Sequence, residues 1–130
     1  MDITEDSGSK QASEFINKWE REQHAMSIGG VTNGKLYKEI IVCQNQGVIS
    51  ELLGEMFMSI SKRMVDRMNL PEEHKDDSIS NGAVQACNYY QKFDPSKTTN
   101  ALAYIIQVIK QGHVQYIHAE QRARGRIYSI

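Results

Sequence analysis

Apolar residues recur along this chain at helical spacing, and the intervals between the recurrences mark five candidate helices. Residues 1–11 are polar and expected to be loose. Ser13 is a plausible N-cap for a first helix carrying Phe15, Ile16 and Trp19, which Ile28-Gly29-Gly30 would end. Thr32-Asn33-Gly34 reads as a turn, and Leu36, Ile40 and Cys43 before Gly47 predict a short second helix. The clearest row is Val48, Leu52, Met56, Ile60, Met64 and Met68, with Ile49, Leu53 and Phe57 beside it, which predicts a core-facing helix over 48–68. Leu70-Pro71 breaks that row and opens the next helix, whose first residues Glu72, Glu73, Asp76 and Asp77 suit the positive end of a helix dipole. There Ile79, Ala83, Ala86, Tyr90 and Phe93 form the apolar face, opposite Asp77, Ser80, Asn81, Val84 and Asn88.

Asp94-Pro95-Ser96 is turn chemistry, and Thr98 or Thr99 is expected to cap the last helix. Its apolar stripe is Leu102, Ile105, Ile106, Ile109, His113 and Tyr116. Another face then stacks Tyr104, Gln107, Gln111, Gln115 and His118 at spacings of three and four. Strand-like alternation is weak throughout, so the expected fold is all-α, a bundle of about four to five helices in one domain over residues 12–121, with a basic extension at 122–130.

Charge adds a direction to this picture. Residues 1–94 carry 10 Lys and Arg against 15 Asp and Glu, whereas residues 95–130 carry 5 against 1. An acidic body with a basic end suits a protein that presents that end to phosphates while the rest meets another partner. Cys43 and Cys87 are isolated within helical patterns and form no disulfide framework. No apolar run approaches the roughly 18 residues of a membrane span, so a cytoplasmic location is expected.

The amide-rich face is the strongest chemical feature. Glutamine both donates and accepts, so it can read base edges, and a tyrosine ring can stack on an unpaired base for about 1 to 3 kcal/mol. Lys97 and Lys110 flank the face, and Arg122, Arg124 and Arg126 follow it as phosphate ligands. Taken alone, such a face is more often an ordinary solvated surface. Enzyme chemistry finds little footing: His113 and His118 sit five apart, off the i, i+4 spacing of a helical metal pair, and neither His74 nor Glu120 completes a cluster. No nucleophile-and-base motif and no glycine-rich phosphate loop occurs, so neither catalysis, metal nor cofactor is expected.

Within residues 77–121, the acidic opening at Asp77, Gly82 in mid-helix, Lys92-Phe93, the turn Asp94-Pro95-Ser96-Lys97 and the Ala103-Tyr104 step resemble region 2 of the sigma-70 family. The run Asn45–Leu70 and the segment Ser13–Glu20 also resemble the late sigma factors of T-even-type bacteriophages. The resemblance implies a sigma domain 2 fold and a late-transcription factor acting in the infected bacterial host. It implies that Asp77, Ser80, Asn81, Val84 and Asn88 dock on the clamp helices of the largest subunit of core RNA polymerase. It further implies that Tyr104, Gln107, Lys110 and Gln111 meet the non-template strand of promoter DNA at the minus-ten element, and Lys97, Asn100, Gln115, Arg122, Arg124 and Arg126 are expected as further DNA contacts. Gln111 matches a base-reading glutamine and Tyr104 an aromatic that packs on an unstacked base.

Three departures stand beside it. Gln107-Val108 occupies the place of the paired tryptophans that wedge the duplex open in primary sigma factors, the chain has no room for the domain that reads the minus-thirty-five element, and the ending Arg126-Ile127-Tyr128-Ser129-Ile130 has apolar residues but no acids for a sliding-clamp tail. Dependence on a clamp or coactivator is left open. A helical accessory, such as an anti-sigma factor or coactivator that binds polymerase without reading DNA, is the alternative. A helix-turn-helix repressor fits less well, because the Phe93 to Thr99 connection is long and holds a proline.

Overall fold

The computed structural model describes residues 27–123, which form a two-stranded hairpin followed by four packed helices, an all-α bundle. Helix α1 spans Asn33–Gln46, α2 Glu51–Asp66, α3 Glu72–Tyr89 and α4 Ala101–Ala123, with a 3-10 turn at Tyr90–Lys92. Among the described residues no helix is long and apolar enough to cross a membrane. The expected first helix around Ser13, Phe15, Ile16 and Trp19 lies outside the described residues, as do Arg124 and Arg126.

Where a helix was expected to end at Ile28-Gly29-Gly30, the chain instead turns back on itself. Ser27 pairs with Thr32 and Ile28 with Val31, antiparallel. Gly29 and Gly30 have φ of 61° and 78°, the left-handed conformation at both central positions that a two-residue hairpin needs. Gly29 is required for a second reason: a Cβ there would stand 2.5 Å from the Ser59 carbonyl oxygen of α2.

Thr32 caps α1 by accepting from the Lys35 amide, and Gly47 ends it at φ 79°. Helix α2 begins later than expected, because Ser50 accepts from the Leu53 amide and so fixes the N-terminus. Its core row also differs. Leu53, Phe57, Ile60 and Val65 are fully buried, each burial worth about 1.5 to 3 kcal/mol, while Val48, Ile49 and Leu52 stand in solvent. Val48 and Ile49 precede the helix and Met68 follows it, and within it an i+4 row drifts about 40° per step on 3.6 residues per turn, which carries Leu52 off the face that buries Met56 and Ile60.

Helix α3 buries Ala83 and Ala86, with Tyr90 and Phe93 just beyond it, and α4 buries Leu102, Ile105, Ile109 and His113 as expected. Asn100, rather than Thr98 or Thr99, caps α4, its side-chain oxygen accepting from the Ala103 amide; Thr98 instead accepts from the Asn100 amide. Helix α2 packs mainly on α3, and α3 mainly on α4. The closest approach is at Gly82 and Gly112. A Cβ on Gly112 would lie 2.8 Å from the Asn81 carbonyl oxygen, and one on Gly82 would lie 2.5 Å from both His113 Nε2 and Ser61 Oγ. Glycine at these two positions lets the helices close.

Candidate nucleic-acid and protein-docking surfaces

The α4 surface begins with an anchored N-terminus. Asn33 is fully buried; its Nδ2 donates to the Thr99 carbonyl at 3.0 Å and its Oδ1 accepts from the Leu102 amide at 2.8 Å. Gln44, at the other end of α1, donates to the Tyr90 carbonyl at 3.0 Å and to that of Phe93 at 2.8 Å. Two amides from α1 thus hold the whole connection between α3 and α4. Neither was identified from the sequence, because each partner lies more than forty residues away and no local pattern announces it.

Down the helix, Gln107, Lys110, Gln111 and Gln115 are exposed and, with Val114, line a shallow depression of about 340 Å³. The structure therefore gathers four of the expected DNA contacts on one surface. His118 and Arg122 are also exposed further along, Arg122 in the last turn where a cation suits the negative end of the helix dipole. Lys97 is exposed in the preceding turn, which Asp94 organises by accepting from the Ser96 amide and hydroxyl; those bonds hold its carboxyl below the usual range.

Tyr104 and Asn100 have structural duties as well. The Tyr104 hydroxyl donates to the Tyr89 carbonyl at 2.8 Å and its ring tilts against Phe93 with centroids 5.5 Å apart. Burial pushes its phenol pKa up. Only part of the ring faces outward, and Asn100 has its oxygen engaged as the α4 cap.

On α3, Asp77, Ser80, Asn81, Val84 and Asn88 are all exposed, and Val84 stands out as an apolar side chain 56% exposed. They divide between two seams. Asn81 sits beside α4 at Gly112 and donates to the Asp77 carbonyl of its own helix. Ser80 and Val84 instead line a groove of about 780 Å³ shared with Glu51, Gly54, Glu55 and Met58 of α2. Those α2 residues were absent from the sequence reading, although a glycine inside the strongest helical row was a usable signal.

The three helices meet at His113. Ser61 Oγ donates to the Ile79 carbonyl at 2.8 Å, so the 2.9 Å contact between Ser61 Oγ and His113 Nε2 is one in which Nε2–H donates. Burial lowers the His113 pKa, which keeps the ring neutral. His74, at the start of α3, bonds the Tyr116 hydroxyl at 3.0 Å through Nδ1. Among the described residues, no group of three or more His, Cys, Asp or Glu is placed to hold a metal ion. Cys43 and Cys87 are free thiols, with Cys43 buried between the Ser50 amide and hydroxyl at the α2 cap. Compared with known proteins, the chain matches no family model, no curated protein and no solved structure.

Proposed function

We propose that this domain is a non-enzymatic sigma-type initiation factor of the phage late-transcription kind. It binds core RNA polymerase through the exposed face of α3 and meets the non-template strand of the minus-ten element with α4, in the cytoplasm of the bacterial host. The observation that carries the reading is the state of the amides. Those of Asn33, Gln44 and Asn100 are committed to backbone groups. Gln107, Gln111 and Gln115 face solvent in a row beside Lys110 on a helix whose start is fixed by those same committed amides. Free donor-acceptor groups on a rigid element suit base recognition, with Lys110 supplying a phosphate contact.

Fluorescence anisotropy of a single-stranded AT-rich minus-ten oligonucleotide, with and without bacterial core polymerase, tests this. Weak binding alone and tight, base-selective binding in the presence of core is expected, since the exposed cations are few. Gln111→Ala should relax base preference. Lys110→Ala should lower affinity evenly and reduce the salt slope by about one phosphate contact. If core binds the domain and no variant on α4 changes oligonucleotide affinity, the domain is a polymerase-binding accessory that does not read DNA.

A further inference from the structure

Helices α2 and α3 touch where Ser61 Oγ reaches the Ile79 carbonyl, yet from Ser59 back toward Glu51 they leave an open groove. Gly54 lies in its α2 wall. A glycine in a helix interior costs about 0.5 to 1 kcal/mol relative to alanine, a cost the fold recovers at Gly82 and Gly112 through close helix contact. At Gly54 there is no such return among the described residues, since a Cβ there would meet none of them within 4 Å. What the missing side chain provides is space in the groove. Its walls carry Met58 and Val84, 44% and 56% exposed, over a floor at Ala83. Glu51 and Glu55, one turn apart, are the charged residues among those lining it, and no Lys or Arg does so.

We propose that this groove is the seat of a helix from a partner protein, one that inserts an apolar side chain over Gly54 between Met58 and Val84 and flanks it with Lys or Arg against Glu51 and Glu55. A trough between two helices fits a third helix ridge into groove, Gly54 lets that ridge approach closely, and the two carboxylates select a basic sequence. The proposal rests on the proposed function only in naming polymerase as the protein expected to supply the helix. It moves the centre of docking from α3 alone to the α2–α3 seam.

The test uses two fluorescein-labelled helical peptides, each presenting one leucine, flanked one turn away on both sides by arginines in the first and by glutamates in the second. The arginine peptide should bind the parent domain and the glutamate peptide should not. Gly54→Leu, whose Cβ would meet nothing within 4 Å among the described residues, should keep or raise the thermal midpoint of the parent, as replacement of a helical glycine does, and lose about tenfold or more in peptide affinity. The double substitution Glu51→Lys and Glu55→Lys should reverse the preference between the peptides. Failure of the arginine peptide to bind, or equal binding by parent and Gly54→Leu, overturns the proposal. Core polymerase binding measured on the same variants separates the two readings: if Gly54→Leu loses the peptide but keeps polymerase, the groove stands as a basic-helix site and polymerase is not its occupant.

Discussion

The two seams that α3 makes, one with α4 and one with α2, contain glycines that do opposite things. At Gly112 the missing side chain lets α4 reach the α3 backbone and at Gly82 it makes room for the His113 ring and the Ser61 hydroxyl, and a Cβ on either would strike an oxygen or nitrogen within 2.8 Å. At Gly54 the missing side chain leaves open space among the described residues. The first pair is explained by the fold itself; the second residue has no packing role among the described residues and is the one on which the proposed helix site rests. This contrast also divides the exposed face of α3, placing Asn81 at the closed seam and Ser80 and Val84 at the open one.

The closed seam is where substitution should cost most. Gly112→Val forces α4 away from the Asn81 carbonyl and should destabilise the domain by about 3 kcal/mol or more by chemical denaturation, at the upper end of overpacking effects because backbone cannot yield like a side-chain tip. A loss under 1 kcal/mol would show that the seam is looser than described.

Asn33→Ala comes next. It leaves the buried Leu102 amide and the Thr99 carbonyl without their partner and should cost about 1 to 3 kcal/mol, with amide exchange accelerating first in the opening turn of α4. Unchanged exchange in that turn would remove Asn33 from its anchoring role.

His113 makes the closed seam pH-sensitive. Because burial depresses its folded-state pKa, its contribution is fully present above the unfolded value near 6.5. The unfolded chain takes up the proton first as pH falls, so stability should drop from that point down through the depressed folded pKa. Denaturation curves at pH 5 and 7 should differ more for the parent than for His113→Gln; equal differences would mean that His113 does not carry the effect. The smallest change is at the open seam, where Gly54→Ala should stabilise by about 0.5 to 1 kcal/mol, and a destabilising result there would mean that the helix wall is closed after all.

The helices themselves were legible in the sequence. Turn residues at Gly47, Leu70-Pro71 and Asp94-Pro95 separate them, and most positions on the faces of α3 and α4 fell where a 3.6-residue period puts them, although Ile79, Ile106, Tyr116 and Tyr104 are half-buried and Val108 joins the core. Less legible was the α2 row, where a spacing of four was extended across Val48 and Leu52 onto the exposed side. The hairpin at Gly29-Gly30 escaped because its strands are two residues each, too short to show alternation. The exposure of the α4 amides and of the α3 face could be read in advance because it follows periodicity. Tyr104 and Asn100 could not be weighed correctly, since their bonds to Tyr89 and Ala103 emerge only once the connection is folded. For that reason Tyr104→Ala is read as a stacking loss only beside Tyr104→Phe, which keeps the ring and removes the hydroxyl bond to Tyr89.

The most direct measurement is start-site-specific transcription by bacterial core polymerase supplied with this protein, on templates with an AT-rich minus-ten element that are supercoiled, pre-opened or linear and fully paired. With Gln107-Val108 in place of a melting tryptophan pair, initiation should be strong on supercoiled and pre-opened templates and weak on linear duplex, and Gln111→Ala should broaden the accepted minus-ten bases. No initiation on any template, or equal promoter selectivity by the parent and Gln111→Ala, would contradict the account.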